Sequence, residues 1–269
     1  AHMLILGPTG AGKSALLVYL LQQMAAMYRP RIFIIEAGGS FSLLGQHFQA
    51  HGVSVNQATL NPNVDVSLPP FADALRVLDK ERRVRLAKDP DELIDDDEAE
   101  DEGSGRDILG EMEIAARIMI TGGDEREDAR MSRADRLLIR NAIFLAAKTV
   151  KDSGREQVIT GDVVDALHAI GRDQDLPEHR RNRAIEMGDG MALFCSGLAG
   201  HFFNRPGTRW PEADVTILEM GMLAREGYED QLTVAYISMM SHINDLVERH
   251  QHDARPTLVV TDEGHIITT

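Results

Sequence analysis

The stretch GPTGAGKS, from Gly7 to Ser14, decides how the rest of the sequence is interpreted. It matches the pattern G-x-x-x-x-G-K-[ST] at every required position. In this pattern the glycines let the backbone turn tightly, so that successive N–H groups point at one phosphate group. A helical pattern follows, and the N-terminal end of a helix adds positive potential. The sequence therefore predicts a phosphate-binding loop at the start of an α-helix.

The last residues of this loop predict the ligand. Lysine at position 13 is expected to bridge the β- and γ-phosphates of a nucleoside triphosphate, and the hydroxyl of Ser14 to coordinate Mg²⁺. We therefore expect ATP and Mg²⁺ as cofactors, Ser14 as a metal ligand and Lys13 as a catalytic residue. The predicted nucleotide-binding residues are Gly7, Pro8, Thr9, Gly10, Ala11, Gly12, Lys13, Ser14 and Ala15.

Strands and helices alternate around the loop. The apolar run MLIL (3–6) predicts a short strand, and apolar residues at helical spacing predict a helix that ends before Pro30. RIFIIE (31–36) is apolar on both faces, as parallel strands usually are, and SFSLLGQHFQAHG (40–52) predicts another helix. This alternation predicts an α/β fold with a parallel sheet covered by helices.

The middle of the chain changes to helical periodicity. Ser132 followed by Asp135 indicates a capping box, and Thr160 is predicted to cap a further helix. After this stretch VTILEM (215–220) predicts a strand, followed by a long helix and a final strand. The predicted organisation is a nucleotide-binding core in two parts, 1–70 and 206–269, separated by a helical insert, 71–205, with an acidic loop at 89–105.

The final predicted strand carries a second motif, LVVTDEGH, from Leu258 to His265. An apolar strand that ends in an acid is what a phosphate-loop fold uses to hold Mg²⁺ through water, and we assign this role to Asp262. Glu263, the next residue, is predicted to be catalytic because it can orient and deprotonate the attacking water. This adjacent acid favours a hydrolysing motor over a simple kinase, whose nucleophile is its substrate.

Some charged residues leave two interpretations open. Glu36, at the end of RIFIIE, is suited to polarising a water or binding a neighbour, and equally to capping the next helix through Gly38 and Gly39. Arg205, Arg209 and Arg225 flank the predicted strand at 215–220 and either face an adjacent subunit or are surface charges.

Composition narrows the classes of partner. The net charge is −15 and the sequence pI is near 5.0, so tight nucleic-acid binding is not expected. Much of the acid lies in residues 89–105, which predicts a solvated loop or, alternatively, a docking strip for a basic partner. No apolar run has the length of a membrane span, and the single Cys195, expected to be an inert core thiol, fits a reducing cytoplasm.

The order of segments along the chain resembles the conjugation ATPases of type IV secretion systems. The similar segments are AHMLILGPTGAGKS, RIFIIEAGGSFSLLGQHF, LNP, LFCSGLAGHFFNRPG and RPTLVVTDEGHIIT. They resemble most the TraC-like branch carried by integrative and conjugative elements. Resemblance covers most of the chain and is weakest in the acidic loop.

The resemblance implies a RecA-like core with an all-α insert, in a hexameric motor peripheral to the inner membrane, on its cytoplasmic side. Such motors act with channel components of the secretion system and energise pilus assembly and conjugative transfer. Carried over, the phosphate loop (Walker A) falls on Gly7 to Ser14, and the acid pair (Walker B) on Asp262 and Glu263. Many relatives follow the acid pair with Ala and an aromatic residue, whereas this chain has Gly264 and His265.

The family pattern continues past the acid pair with a polar sensor and an arginine that completes a neighbour's site. This sequence ends at Thr269 and begins with AHM, either native or a cloning remnant, so we expect an excerpt of a longer protein. An arginine supplied in trans is worth about 10³ to 10⁵ in rate. We therefore expect this chain to bind nucleotide and to hydrolyse it poorly.

Two other classes share these motifs. A DNA-translocating pump, of the coupling-protein or HerA/FtsK type, would line its pore with basic residues, which the acidic balance disfavours. A nucleotide-dependent assembly scaffold would have little need of Glu263.

Overall fold

The computed structural model describes residues 2–8, 10–79, 106–208, 210–250, 253 and 255–262. Within this part the chain forms two units. The first contains the sheet and draws on Ala1–Val64, Arg209–Tyr228 and Arg249–Thr269. The second is built of helices and draws on Asp65–Thr208 and Glu229–Glu248.

The sheet of the first unit has four parallel strands among the described residues. They are β1 (Arg31–Glu36), β2 (Val55–Thr59), β3 (Val215–Glu219) and β4 (Thr257–Thr261), in the order β2-β3-β1-β4. β1 is central and buried from Ile32 to Glu36, which explains why its sequence is apolar on both faces. The parallel sheet predicted from the sequence is confirmed.

The register of the strands aligns their carboxyl ends. Glu36 of β1 is opposite Glu219 of β3, and Ile35 is opposite Thr261 of β4. In open parallel sheets the residues that follow the carboxyl ends form the ligand-binding crevice. The register therefore selects which acidic residues meet at this edge.

Two helices, α1 (Lys13–Tyr28) and α2 (Ser42–Ala50), belong to the same unit. α1 ends at Arg29, whose backbone is left-handed (φ 47°) and whose N–H donates to the carbonyl of Ala25, and Pro30 follows. Both helices contribute to one apolar core with the sheet. Its buried members are Leu21, Ile32, Ile34, Phe41, Leu44, Phe48, Val215, Ile217 and Val260.

The strand predicted at MLIL (3–6) is wrong. Residues 2–8 contain no strand, and the side chains of Met3, Leu4 and Leu6 are 66%, 80% and 81% exposed. A strand forms only where a neighbouring strand completes its hydrogen-bond ladder, and this segment pairs with none of the four described strands. Apolar character alone could not supply that partner.

The second unit consists of helices in the described ranges. They are α3 (Ile108–Thr121), α4 (Glu125–Arg130), α5 (Arg133–Asp152), α6 (Thr160–Arg172), α7 (Glu178–Ala192), a 3₁₀ turn (Leu193–Cys195), α8 (Gly197–Phe203) and α9 (Glu229–Arg249). Among the helices that the structure describes, none is both long and apolar enough to cross a membrane. α9, grouped with the second part of the core in the sequence analysis, contributes residues 229–248 to this unit.

The first residues of α5 and α6 test the two capping predictions made from the sequence. The capping box at Ser132 is present: its hydroxyl accepts from the Asp135 N–H (3.1 Å), and the Asp135 carboxylate accepts from the Ser132 N–H (2.9 Å). Thr160 is not the cap of α6 but its first residue, because its buried hydroxyl donates to the carbonyl of Phe203 (2.8 Å). The Asp162 carboxylate instead accepts from the N–H of Ile159, the capping residue.

Candidate functional site

Two residues of the glycine-rich loop have a left-handed backbone. Gly10 and Gly12 have φ values of +81° and +84°, a region in which residues with a Cβ are strained. Between them, the N–H of Ala11 donates to the carbonyl of Pro8 (3.2 Å), which closes a tight turn. Gly12 also caps α1, since its carbonyl accepts the N–H of Leu16 (2.9 Å). The loop therefore leads directly into the N-terminus of α1.

Lys13 folds back over this loop. Its Nζ donates to the carbonyls of Gly7 (3.0 Å) and Pro8 (3.1 Å) and lies at the exposed surface. The first turn of α1 contains no acidic residue, so nothing in that turn opposes the positive end of the helix. The ammonium group thus lies beside the helix N-terminus and the glycine backbone. Together these groups suit the binding of an anion such as a phosphate.

Ser14 and Asp262 are 248 positions apart in sequence and lie in contact. The Ser14 hydroxyl donates to Oδ2 of Asp262 at 3.3 Å. Asp262 directly follows β4, and its N–H donates to the carbonyl of Ile35 in β1 (3.0 Å), which fixes its backbone at the carboxyl edge. The sequence predicted both residues as metal ligands, and the fold brings them together.

This pair suits Mg²⁺. Hydroxyl and carboxylate oxygens are the hard ligands that Mg²⁺ prefers, and it commonly uses one or two carboxylates together with substrate phosphates. The hydrogen bond between Ser14 and Asp262 holds the two oxygens 3.3 Å apart, so both lie where an ion bound by Ser14, or a water on that ion, would be.

Glu36 is the most buried acid at the carboxyl edge. Its side chain is 1% exposed, and both carboxylate oxygens accept the N–H of Phe41, at 3.3 and 3.2 Å. Burial raises the pKa of Glu36, and the nearby charges of Glu219 and Asp262 raise it further, whereas backbone hydrogen bonds from Phe41 and Ser40 lower it. Phe41 is the capping residue of α2, so Glu36 does hold the start of this helix, through the backbone of Ser40 and Phe41 and not the predicted Gly38 and Gly39.

Sequence reasoning missed Glu219. It is aligned with Glu36 in the sheet, and its Oε1 accepts the N–H of Gly221 (2.7 Å). The available signal was that an apolar run leads to an acid at the end of β3, as at the end of β1 and directly after β4. Within the described residues no three His, Cys, Asp or Glu side chains form a group that could hold a metal ion, so Glu219, Glu36 and Asp262 form a row and not a cage.

Several predicted residues lie outside the described residues: Thr9, Glu263, Gly264, His265, Arg209 and the acidic loop at 89–105. Two arginines left open by the sequence are described. Arg205 donates to Asp65 (2.7 Å) and to the carbonyl of His201 (2.8 Å), all within the helical unit. Arg225 is exposed in the loop that follows β3.

Cys195 has the properties of an unreactive thiol. It is half-buried at the end of the 3₁₀ turn, and burial, with smaller effects from Asp165 and Asp162, raises its pKa to about 11. Because the thiolate is the reactive form, the thiol is protected near neutral pH.

Comparison with solved structures finds the same fold in VirB4 of Thermoanaerobacter pseudethanolicus. The TM-score is 0.60 at 13% sequence identity, over 98% of this chain and 60% of that one. The chain thus spans about three fifths of the length of that structure. No protein-family model and no curated protein sequence matches the chain. The likeness confirms the expected mixed α/β fold with a parallel sheet and is consistent with a RecA-like core.

Proposed function

We propose that this chain is the ATP-hydrolysing motor domain of a type IV secretion ATPase. The contact between Ser14 and Asp262 is the observation that carries the proposal, because it joins the two nucleotide motifs into one oxygen-rich site beside the glycine loop. The shared fold with VirB4 supports a type IV secretion ATPase in general. The segments that resemble TraC-like proteins support that branch more specifically.

We assign the roles from the two motifs and, for the described residues, from their contacts. The backbone N–H groups of the loop, Pro8 excepted, bind the phosphate chain, and Lys13 exchanges its two loop carbonyls for phosphate oxygens. Ser14 and Asp262 hold Mg²⁺, Asp262 directly or through a bound water. Bound Mg²⁺ supplies a Lewis acid that withdraws charge from the phosphate oxygens. Glu263 accepts a proton from the attacking water.

The remaining parts of the proposal concern the assembly. We propose a hexamer at the cytoplasmic face of the inner membrane, in which secretion-channel components are partners and an arginine from a neighbour completes each site. Hydrolysis by the isolated chain is then slow, because a trans arginine is worth about 10³ to 10⁵ in rate. Conjugative transfer and pilus assembly are the processes that this motor would drive.

Phosphate release tests the proposal. We expect slow, Mg²⁺-dependent release from ATP that duplex DNA does not stimulate at fixed, near-physiological salt, and that Glu263→Gln abolishes. DNA stimulation that disappears in this variant would favour a DNA pump. Equal release by both proteins would contradict the role of Glu263, and a turnover number comparable with an intact motor would contradict the need for a neighbour.

A further inference from the structure

Two histidines stand one helical turn apart at the end of α2. His47 lies in the last turn of the helix, and His51 is the residue that caps it. Both residues are exposed, and the centroids of their rings are 4.3 Å apart, with the ring planes tilted by 44°. Side chains at positions i and i+4 of a helix lie on the same face. The two imidazoles therefore form a pair on the surface of the unit that contains the sheet.

A hydrogen bond fixes which nitrogen of His51 carries a proton. Its Nδ1 lies 2.8 Å from the backbone carbonyl of His47. A carbonyl oxygen can only accept, so Nδ1 carries the proton and donates it to this bond. In the neutral imidazole, Nε2 is then the nitrogen with a free lone pair. Metal-binding histidines have the same arrangement, in which the second ring N–H is donated to a carbonyl or a carboxylate.

The local charge suits a cation at this end of α2. The C-terminal end of a helix carries partial negative charge, because its last carbonyls have no partner within the helix. Residues 40–52 contain no Lys, Arg, Asp or Glu, so no charged side chain of this segment repels a cation or competes with the imidazoles for it.

The histidine pair is separate from the proposed nucleotide site. α2 begins at the carboxyl edge, where Glu36 accepts the N–H of Phe41, and its nine residues span about 13 Å. Ser54, which follows shortly after His51, is bonded to Asp214 at the strand starts. The pair is therefore at the end of α2 that points away from the carboxyl edge.

Capping of α2 explains only one of the two imidazoles. Histidine side chains near a helix end commonly bind its last carbonyls, and His51 does so here. This bond uses the backbone of His47 and not its ring, and any residue at position 47 would offer the same carbonyl. A second imidazole beside the lone pair of the first is what the cap leaves unexplained.

We propose that His47 and His51 form a chelating site for a divalent transition-metal ion. Imidazole is a preferred ligand of Zn²⁺, Ni²⁺ and Cu²⁺, and two histidines at i and i+4 of one helix hold Zn²⁺ in the H-E-x-x-H motif. Two zinc–nitrogen bonds of about 2.0–2.1 Å join nitrogens up to about 4 Å apart, which the neighbouring rings meet by turning about their side-chain bonds. Water completes the coordination, so binding is weaker than in sites with three or four protein ligands.

The test is a Zn²⁺ titration of the nucleotide-free chain at about pH 7.5, followed by calorimetry and by the nitrogen NMR resonances of the imidazole rings. His47→Gln removes one ring and keeps the carbonyl to which His51 donates. A double variant, Gln46→His with His47→Gln, keeps the number of histidines and places the rings five residues apart. His179→Gln, which removes an exposed helical histidine elsewhere, is the second control.

We expect Zn²⁺ to shift Nε2 of His51 and a ring nitrogen of His47 together, and Mg²⁺, which prefers oxygen ligands, to leave both unchanged. His47→Gln and the double variant should each weaken Zn²⁺ binding by about tenfold or more, because the second ligand of a chelate binds at high effective concentration. His179→Gln should stay within about twofold of wild type. All of the replaced side chains are exposed, so the variants should fold as wild type does.

Wild-type Zn²⁺ affinity in the double variant would overturn the inference, because it would show that the spacing of the rings has no effect. Resonances of His47 and His51 that do not move, or that move at different Zn²⁺ concentrations, would overturn it as well. An equal loss in His179→Gln would show that Zn²⁺ binds surface histidines without selection, which also contradicts a site at the end of α2.

Discussion

The two edges of the sheet both carry acidic side chains, in opposite environments. At the amino edge Asp214, just before β3, accepts from the N–H (3.0 Å) and hydroxyl (2.6 Å) of Ser54 and from the guanidinium of Arg255 (2.7 Å). These partners precede β2 and β4, so one carboxylate ties three strand starts together. The hydrogen bonds from Ser54, with that from Arg255, lower the pKa of Asp214.

At the carboxyl edge the row Glu219, Glu36 and Asp262 places like charges side by side, and burial together with its two neighbours raises the pKa of Glu36. An acid that is bonded to a cation or a hydrogen-bond donor stabilises a fold, whereas acids that lie next to one another repel and destabilise it. The amino edge is therefore stabilised by ion pairing, whereas the carboxyl edge suits the cation that we propose it binds.

The largest expected effect is on ATP affinity, which should depend on residues at the carboxyl edge and not on those at the amino edge. Lys13→Ala removes the ammonium group from the glycine loop, and the loss of charge-assisted bonds to phosphate, about 3 kcal/mol, weakens ATP affinity by roughly 100-fold. Arg255→Ala, at the other edge, is the matched control and should leave affinity within about twofold. Mant-ATP titration measures both, and a similar loss in the two variants would contradict the division of roles.

The next effect is on stability. Asp214→Ala removes two hydrogen bonds to Ser54 and one to Arg255. Because these groups are partly exposed, we expect the free energy of unfolding to fall by about 1–2 kcal/mol. Urea unfolding measures this change, and an unchanged midpoint would show that the amino-edge cluster contributes nothing.

A smaller effect depends on pH and has opposite signs at the two edges. The pKa of Asp214 is lower in the folded than in the unfolded state, so its stabilisation is present above the unfolded value of 3.8 and is lost as pH falls through the folded pKa. The pKa of Glu36 is raised when folded, so its charge destabilises the fold at neutral pH, and this penalty disappears as pH falls through the folded pKa toward 4.5.

Thermal melting checks these signs. At pH 7 we expect Asp214→Asn to melt below wild type and Glu36→Gln to melt at or up to about 4 °C above it. The Glu36→Gln difference should shrink as pH falls toward 4.5, whereas the Asp214→Asn difference should persist there and shrink only below pH 3.8. A lower melting temperature for Glu36→Gln at pH 7 would contradict the electrostatic account of the row.

The smallest effect is expected at Glu219. The amide of Glu219→Gln still accepts the Gly221 N–H, so the free energy of unfolding should change by less than about 0.5 kcal/mol. Urea unfolding at pH 7 tests this, and a change above that value would show that Glu219 carries more of the edge than its contacts indicate.

The local sequence predicted those elements whose own residues are enough to identify them. β1 and β3 are continuous apolar runs, and the glycine loop needs its residues wherever it occurs. β2 (VNQAT) was not predicted, because Asn56 and Gln57 weaken the apolar signal and the strand depends on β3 for pairing. The strand prediction for residues 3–6 was wrong for the converse reason. The segment has the apolar pattern of a strand, but it pairs with none of the described strands.

The site was partly predictable on the same grounds. Ser14 and Asp262 each belong to a recognisable motif, so their contact was expected. The alignment of Glu36 with Glu219 and the ties from Asp214 to Ser54 and Arg255 depend on strand order and register, which are properties of the folded sheet and not of any local segment.

The most direct test of the account is the Mg²⁺ dependence of nucleotide binding in wild type and Asp262→Asn. Mant-ATP titrations with excess Mg²⁺ and with EDTA should show that Mg²⁺ raises wild-type affinity by about tenfold or more, equivalent to 1.4 kcal/mol. Asp262→Asn should keep the affinity measured in EDTA and lose the gain. An Asp262→Asn protein that responds to Mg²⁺ like wild type, or a wild type that binds no nucleotide, would contradict the assignment of this edge as a Mg²⁺–nucleotide site.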